Sequence, residues 1–336
     1  MGDKGSGRDS MKVLVTGARS LLGAAVARDV VQRGHDCVVV QRNPAGIPGV
    51  AEFLDDISDP RQIDTWMRGV DTVIHLAAKV GIAGAPEDFE RINVGGTRRL
   101  LEAAQRHGVG AFIFASSPSV AHAGRPLMGV GAEPADPGSA RGSYSRTKAI
   151  AELDVLSANS LNFVTLALRP HLVWGPGDTQ LIGRIVARAQ SKRLFLIGNG
   201  QALIDTCVVD NAASAFGQAI EHGAEAGGEA LMVTNGEPRT VKEILERICR
   251  AAGVPLPRIA IPRGLAMAVG RGVESVWGDR EEDPPLTSFL VEQLSTAHWF
   301  DIRQTRQLLR WEPATSLDQG FASLARYYSQ QVQLPN

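Results

Sequence analysis

Cysteine is scarce in this chain. Cys37, Cys207 and Cys249 are the only three in 336 residues, widely separated and without a C-x-x-C pair. An odd, scattered set argues against a disulfide framework and against a thiolate metal site, and it fits free thiols in a reducing cytoplasm. Long apolar runs are also missing: none reaches the roughly 18 residues of a transmembrane segment. Charge of one sign is not in excess either, since 35 Lys and Arg face 36 Asp and Glu. Nucleic acid is therefore not an expected partner, and no charged block suggests a disordered arm. Residues 1–10 are polar and Gly-rich with no apolar core, which reads as a disordered leader rather than a secretory signal.

Tyrosine is equally rare, and one of the three copies has a telling neighbour. Tyr144-Ser145-Arg146-Thr147-Lys148 sets a phenol and an ammonium four residues apart, on one face of a helix. An adjacent ammonium favours the phenolate, so a group that ordinarily titrates near pH ~10 can exchange a proton at neutral pH. The plain alternative is an exposed Tyr beside a solvated Lys.

The N-terminal half supplies two further pieces. Val13-Leu14-Val15 reads as a buried strand, Thr16 to Gly23 as a tight small-residue turn, and Ala24 to Ala27 as the start of a helix; Cys37 to Val40 is the next strand. A strand–turn–helix of this kind aims backbone N–H groups and the positive helix end at a pyrophosphate. Gly17 permits the turn and Gly23 lets the helix lie close to the sheet, with Arg19, Leu21 and Leu22 between them. Ser20 stands where a middle glycine is usual, so its Cβ narrows the phosphate approach while its hydroxyl offers a hydrogen bond. Ala111 to Ala115 is a short apolar strand ending in Ser116-Ser117-Pro118-Ser119. Hydroxyls at the carboxyl end of a parallel strand are well placed for chemistry.

Strand and helix signals alternate through the first half, which predicts an α/β fold: a Rossmann-like, doubly wound parallel sheet with a smaller C-terminal substrate-binding lobe. Strands are expected at 72–76 and 161–168, and helices at 61–67 and 89–107. Residues 11–180 form the expected nucleotide-binding domain, rejoined by 204–235, with 181–330 mostly in the lobe and 331–336 a tail. Arg263 to Trp277 has an apolar helical stripe of Leu265, Val269, Val273, Val276 and Trp277, read as a core-facing helix, with a lid or a membrane-surface helix as the alternative.

Taken together, these motifs resemble the extended short-chain dehydrogenase/reductases. Phe114 to Val120, Arg169 to Asp178 and Thr234-Asn235-Gly236-Glu237-Pro238 resemble the 3β-hydroxysteroid dehydrogenase/isomerase-like branch. Pro284 to Leu290 and Thr296 to Phe300, a stretch that includes Pro285, are similar to bacterial 2-alkyl-3-oxoalkanoate reductases. The resemblance implies that Tyr144 is the general acid/base, Lys148 its electrostatic partner and a ribose ligand, and Ser117 the group that polarises the substrate carbonyl. It implies that Ala77 and Ala78 pass under the cofactor, that Asp56 and Ile57 hold the adenine, and that Asn93, Pro170 and Val173 lie beside the cofactor. Asn93 could equally be a helix-packing amide, and Asp56 a turn residue.

Charge bears on the choice of cofactor. Enzymes of this fold that use NAD usually end the second strand with an acid. Here Gln41 and Arg42 stand there, and Arg19 lies in the turn, so NADP(H) is preferred and NAD(H) remains possible. The leading reading is an oxidoreductase interconverting a 3-oxo and a 3-hydroxy group on a bulky hydrophobic substrate. A nucleotide-sugar epimerase or dehydratase, with Arg184, Arg188 and Arg193 meeting a diphosphate, is the rival, and a cofactor-sensing binding protein is the third reading. A homodimer and a peripheral membrane contact stay open.

Overall fold

The computed structural model describes residues 10–81, 83–121, 126–277, 284 and 286–333. Residues 1–9 of the expected leader, 334–336 of the expected tail, and Pro285 lie outside them. Strands β1 (Lys12–Thr16), β2 (Asp36–Gln41), β3 (Ala51–Leu54), β4 (Thr72–His75), β5 (Ala111–Ala115) and β7 (Val164–Pro170) join Ala230–Val233 in one seven-stranded sheet. Its order is β3-β2-β1-β4-β5-β7 and then Ala230–Val233, and every pairing is parallel.

Alternation along each strand feeds two cores. Val13 and Val15 of β1 point into a core shared with helices α1 (Leu21–Gln32) and Val209–His222, while Leu14 points to the other side. The opposite core holds Val73, Phe112 and Phe114 against Leu100, Ala104, Ala151 and Val155. Burial on both faces is why these strands read as continuous apolar runs rather than alternating ones. After α1 come α2 (Ile63–Trp66), α3 (Pro86–Phe89), α4 (Gly96–Arg106) and α5 (Gly142–Ser157). The single helix expected over 89–107 is interrupted by a π-helical turn at Glu90–Gly95. Such a turn replaces i→i+4 backbone bonds with i→i+5 ones.

A second, four-stranded sheet runs Arg239–Thr240, Leu203–Ile204, His298–Phe300 and β6 (Leu127–Val130), so one of its strands comes from the first half of the chain. Around it lie α6 (Ile182–Gln190), α7 (Val209–His222), α8 (Val241–Ala251), α9 (Arg263–Trp277), α10 (Ser288–Ser295), α11 (Arg303–Leu309) and α12 (Leu317–Gln333). Helix α12 runs to Gln333, into the segment expected to be a tail. A third core packs α6, α8 and α12 together through Ile182, Val186, Ile244, Leu245, Phe321 and Leu324.

Helix α9 departs from expectation. Its stripe does not face the core: Leu265, Val269 and Val276 are 58%, 48% and 74% exposed. The buried face is instead made of Ala266 and Gly270. A Cβ on Gly270 would stand 2.8 Å from the backbone N of Ser288, so only a bare glycine lets α9 lie this close to the start of α10. Close approach through small residues turns the larger ones outward.

Candidate active site

The sheet order reverses between β1 and β4, and ligand crevices form where such a reversal parts the loops beyond the strand ends. Gly17 follows β1 with φ +77°, and a Cβ there would lie 2.8 Å from Ala77 N in the loop after β4. A Cβ on Gly23 would meet Gly17 O at 2.3 Å. Both positions need glycine, and the turn they make opens a cavity of about 690 Å³ lined by Gly17, Arg19, Ser20, Leu22, Ala77 and Ala78. That cradle suits a dinucleotide, because the turn leads into the N-terminus of α1, where backbone N–H groups and the helix dipole favour phosphate. Leu21 and Gly23 shape the turn without lining the cavity. Ser20 lines the cavity and also serves the turn itself. Its hydroxyl caps α1, accepting from Gly23 N at 3.0 Å and donating to Gly17 O at 2.9 Å, so it is engaged within the turn.

Gln41, Arg42, Asp56 and Ile57 line the far end of the same cavity. Arg19 and Arg42 are exposed at its rim. Asp56 also forms the turn foreseen as the alternative, its Oδ1 accepting from Ser58 N and Ser58 Oγ at 2.8 Å each. A carboxylate that strand-end reading missed is present: Glu52 on β3 accepts from Gln41 Nε2 and, at 2.8 Å, from Ala45 N. It reaches Gln41 across the β2–β3 pair, so no local signal announces it.

Helix α5 and the end of β5 bring Ser117, Tyr144 and Lys148 together on the cavity wall, next to Pro170 and Val173. Tyr144 and Ser117 line both this cavity and its neighbour. Ser117 Oγ lies 3.0 Å from Ser119 Oγ and accepts from Ser119 N at 3.3 Å. Lys148, 2% exposed, donates to Ala115 O and sits 3.7 Å from the centroid of the Phe114 ring. The expected lowering of the phenol by the ammonium is not what this arrangement gives. Burial pushes Tyr144 up to about 12, against the opposing hydrogen bond from Ser117. Burial likewise pushes Lys148 down to about 7, with Glu152 opposing. The ammonium is spent on a strand carbonyl and a ring face, so desolvation dominates both groups.

A buried relay, unread in the sequence, fixes the loop under this site. Thr16 Oγ1 lies 2.7 Å from His75 Nδ1 and accepts from Ala77 N at 3.1 Å, while His75 Nε2 lies 3.0 Å from Thr97 Oγ1. Burial, with Lys148 adding to it, lowers His75 to about 3, so the ring is neutral. Asn93 does not line the cavity. Its Oδ1 accepts from Lys79 N at 2.7 Å and its Nδ2 donates to Lys79 O and Thr147 Oγ1, which clamps the Ala77–Lys79 loop to α5. Lys79 itself does line the cavity.

A second cavity, of about 320 Å³, meets the first at Ser117, Tyr144, Pro170 and Leu172. Leu172 holds φ +44°, a conformation rarely adopted by a residue with a side chain, at this junction. The walls are Leu181, Ile185, Ile244, Leu245, Ile248, Phe289, Leu290, Leu294 and Phe300, with His171, Thr206, Gln293 and His298 as polar points. The alternative reading of α9 as a lid is not met at this cavity either: α10 supplies that wall, and no residue of Arg263–Trp277 lines it. Trp299 is likewise absent, its ring lying against Gly129. Nor do Arg184, Arg188 and Arg193 line either cavity. Among the described residues, no helix is long and apolar enough to cross a membrane.

The model of the NAD dependent epimerase/dehydratase family matches residues 13–233. A 2-alkyl-3-oxoalkanoate reductase of Stenotrophomonas maltophilia is 38% identical over 324 residues, covering 94% of this chain and 98% of that protein. A 3-beta-hydroxysteroid dehydrogenase of Mycolicibacterium neoaurum is 29% identical, covering 98% of this chain and 94% of that protein. The solved structure of MoeE5 in complex with UDP-glucuronic acid and NAD superposes with a TM-score of 0.73 at 23% identity, over 95% of this chain and 99% of that one. At that identity the likeness bears on the fold alone. A family match of this extent, with a relative this similar along nearly its whole length, settles membership: the chain belongs to the NAD dependent epimerase/dehydratase family, within the extended short-chain dehydrogenase/reductases, and is an NAD(P)-dependent oxidoreductase.

Proposed function

We propose that this enzyme interconverts a 3-oxo and a 3-hydroxy group on a long-chain, 2-alkyl-3-oxoalkanoate-like substrate. One observation supports the reading most: the apolar cavity opens directly onto Ser117 and Tyr144, and among the described residues its lining holds no Lys, Arg, Asp or Glu. An apolar wall converging on two hydroxyls suits a lipid whose single reactive oxygen must be oriented. The relative from Stenotrophomonas maltophilia bears a name of this substrate class.

Each residue has a distinct task in this mechanism. Bound nicotinamide would supply the hydride to the carbonyl carbon, or take it in the reverse direction. Ser117 donates to the substrate oxygen and holds it beside Tyr144. With its pKa raised, Tyr144 is protonated at neutral pH, and it gives its proton to that oxygen as the carbonyl is reduced. Lys148 sits one helical turn away and, while charged, favours the phenolate left behind. Gly17, Arg19, Ser20, Leu22, Ala77 and Ala78 would hold the dinucleotide, and Arg19 and Arg42 would favour a 2′-phosphate. We assign cofactor handling to residues 11–180 with 204–235, and substrate handling mostly to the remainder of 181–330.

The test is a panel of 2-alkyl-3-hydroxy acids, 3-hydroxysteroids and nucleotide sugars, followed by nicotinamide absorbance with both cofactors. Turnover of the acids supports the proposal. Turnover of nucleotide sugars alone would transfer the protein to the epimerase reading.

A further inference from the structure

Two residues in the wall of the apolar cavity are able to carry positive charge, His171 and His298. His171 directly follows Pro170, which ends β7, and His298 opens the strand His298–Phe300. They meet from different parts of the chain, ring centroids 5.0 Å apart at 78°, with the Phe300 ring 5.1 Å from His171. Both are buried, at 7% and 3% exposure. His298 Nδ1 lies 2.8 Å from Thr296 O, and since a carbonyl only accepts, Nδ1 is the donor and bears the proton. Nε2 is then the nitrogen that gains a proton when the ring becomes cationic. Asp205, buried and next to Thr206 in the chain, does not line the cavity; its Oδ2 accepts from Thr234 Oγ1 at 3.0 Å and Phe300 N at 3.3 Å.

We propose that His171 and His298 form a carboxylate-recognition pair that selects 3-hydroxy and 3-oxo acids over neutral substrates of similar bulk. The inference rests on the 3-oxo/3-hydroxy reading above and narrows its substrate class. In a 2-alkyl-3-oxoalkanoate, the carboxylate is separated from the reacting carbon by one carbon. It must therefore enter the cavity close to Ser117 and Tyr144, where the walls are mostly apolar. An ionised carboxylate in apolar surroundings is heavily disfavoured unless it meets charged donors. Among the described residues no Lys or Arg lines this cavity, and the two imidazoles are the lining groups there able to meet it with charge. A steroid alcohol has no such group and would use only the apolar wall.

The experiment compares a 2-alkyl-3-hydroxy acid with its methyl ester, measuring kcat/KM for wild type, His171→Gln and His298→Gln. Wild type should prefer the acid. In each variant the acid-to-ester ratio should fall about ten- to a hundredfold, as for loss of a charge-assisted hydrogen bond, chiefly through KM. An equal loss for acid and ester, or a wild type indifferent between them, overturns the proposal. Should a variant unfold, inhibition of wild type by a long-chain alkanoate and by its methyl ester decides the matter, the acid being expected to bind at least about tenfold tighter. Wild type that oxidises neither acid nor ester with either cofactor overturns the underlying reading as well, a result distinct from lost discrimination.

Discussion

Arg169 and Glu152 are joined deep in the protein, Nε to Oε2 at 2.9 Å, with neither side chain more than 2% exposed. Arg169 immediately precedes Pro170 at the junction of the two cavities, and its Nη1 also donates to Glu133 O at 2.7 Å. Glu152 lies one helical turn beyond Lys148. The pair therefore ties the strand that ends at the substrate to the helix that carries the proton-transfer residues. Removing one partner leaves the other charge buried and uncompensated, which typically costs about 3–5 kcal/mol. Glu152→Gln should lose stability on that scale in urea unfolding. A loss below about 1 kcal/mol would show that the guanidinium finds another partner.

Lys148 should leave a mark on stability against pH. Its folded pKa, about 7, lies below the ordinary 10.5, so between these values the unfolded chain binds the extra proton. Stability therefore rises with pH across that window, by at most about 1.4 kcal/mol per unit. Tyr144 acts oppositely and later: its folded pKa of about 12 exceeds 10, so its contribution is present below pH 10 and lost from there to about 12. Lys148→Met should flatten the rise between pH 7 and 10 while leaving the alkaline fall. Parallel profiles for wild type and variant would contradict the buried, neutralising lysine.

What the sequence could show, and what it could not, follows from the range of the interactions involved. The β1–turn–α1 unit was legible because its causes are local: a Val-rich run, Gly17 and Gly23 within a dozen residues. Tyr144, Lys148 and Ser117 were legible as motifs, and the structure sets them on one wall. Arg169–Glu152, Thr16–His75–Thr97 and His171–His298 join residues far apart in sequence, and no spacing rule announces such partners. The direction of the Tyr144 shift was misread for a related reason. Four-residue spacing gives proximity to Lys148, whereas the pKa is governed by burial, which only the assembled cavity reveals. Helix α9 makes the same point, since periodicity tells which residues share a face but not whether anything covers it.

Tyr144→Phe removes the transferred proton while keeping the ring. Turnover should fall about 10²- to 10⁴-fold, the usual scale of general acid–base catalysis. Cofactor affinity and melting temperature should change little. Near-wild-type turnover on an identified substrate would require another acid at the site.

Cofactor preference can be read from two arginines at the cavity rim. Arg42→Ala and Arg19→Ala should weaken NADP(H) by about ten- to a hundredfold each, since a charge-assisted contact to phosphate is lost. NAD(H) binding should be almost unchanged. The Glu52 carboxylate is the feature that would oppose this, but it is already bonded to Gln41 and to Ala45 N. Titration of both cofactors into wild type and the two variants checks the assignment. Equal losses, or a wild type that prefers NAD(H), would refute it.

The apolar cavity predicts a dependence on chain length. Its walls come from α6, α8, α10 and His298–Phe300, with aliphatic side chains lining most of the interior. Each methylene moved from water onto such a wall gains about 0.8 kcal/mol, so two carbons should improve binding roughly fifteenfold until the cavity is full. At about 320 Å³ the space is finite, and the gain should level off once the chain outgrows it. The levelling point should move when the wall is cut back: Ile248→Ala, in the lining of this cavity and not of the dinucleotide one, should let the series climb further while weakening the shortest members. The measurement is KM for homologous 3-hydroxy acids differing by two carbons, in both proteins. A series flat from its shortest member would show that the alkyl chain lies outside this cavity, and the substrate-binding wall would have to be sought elsewhere.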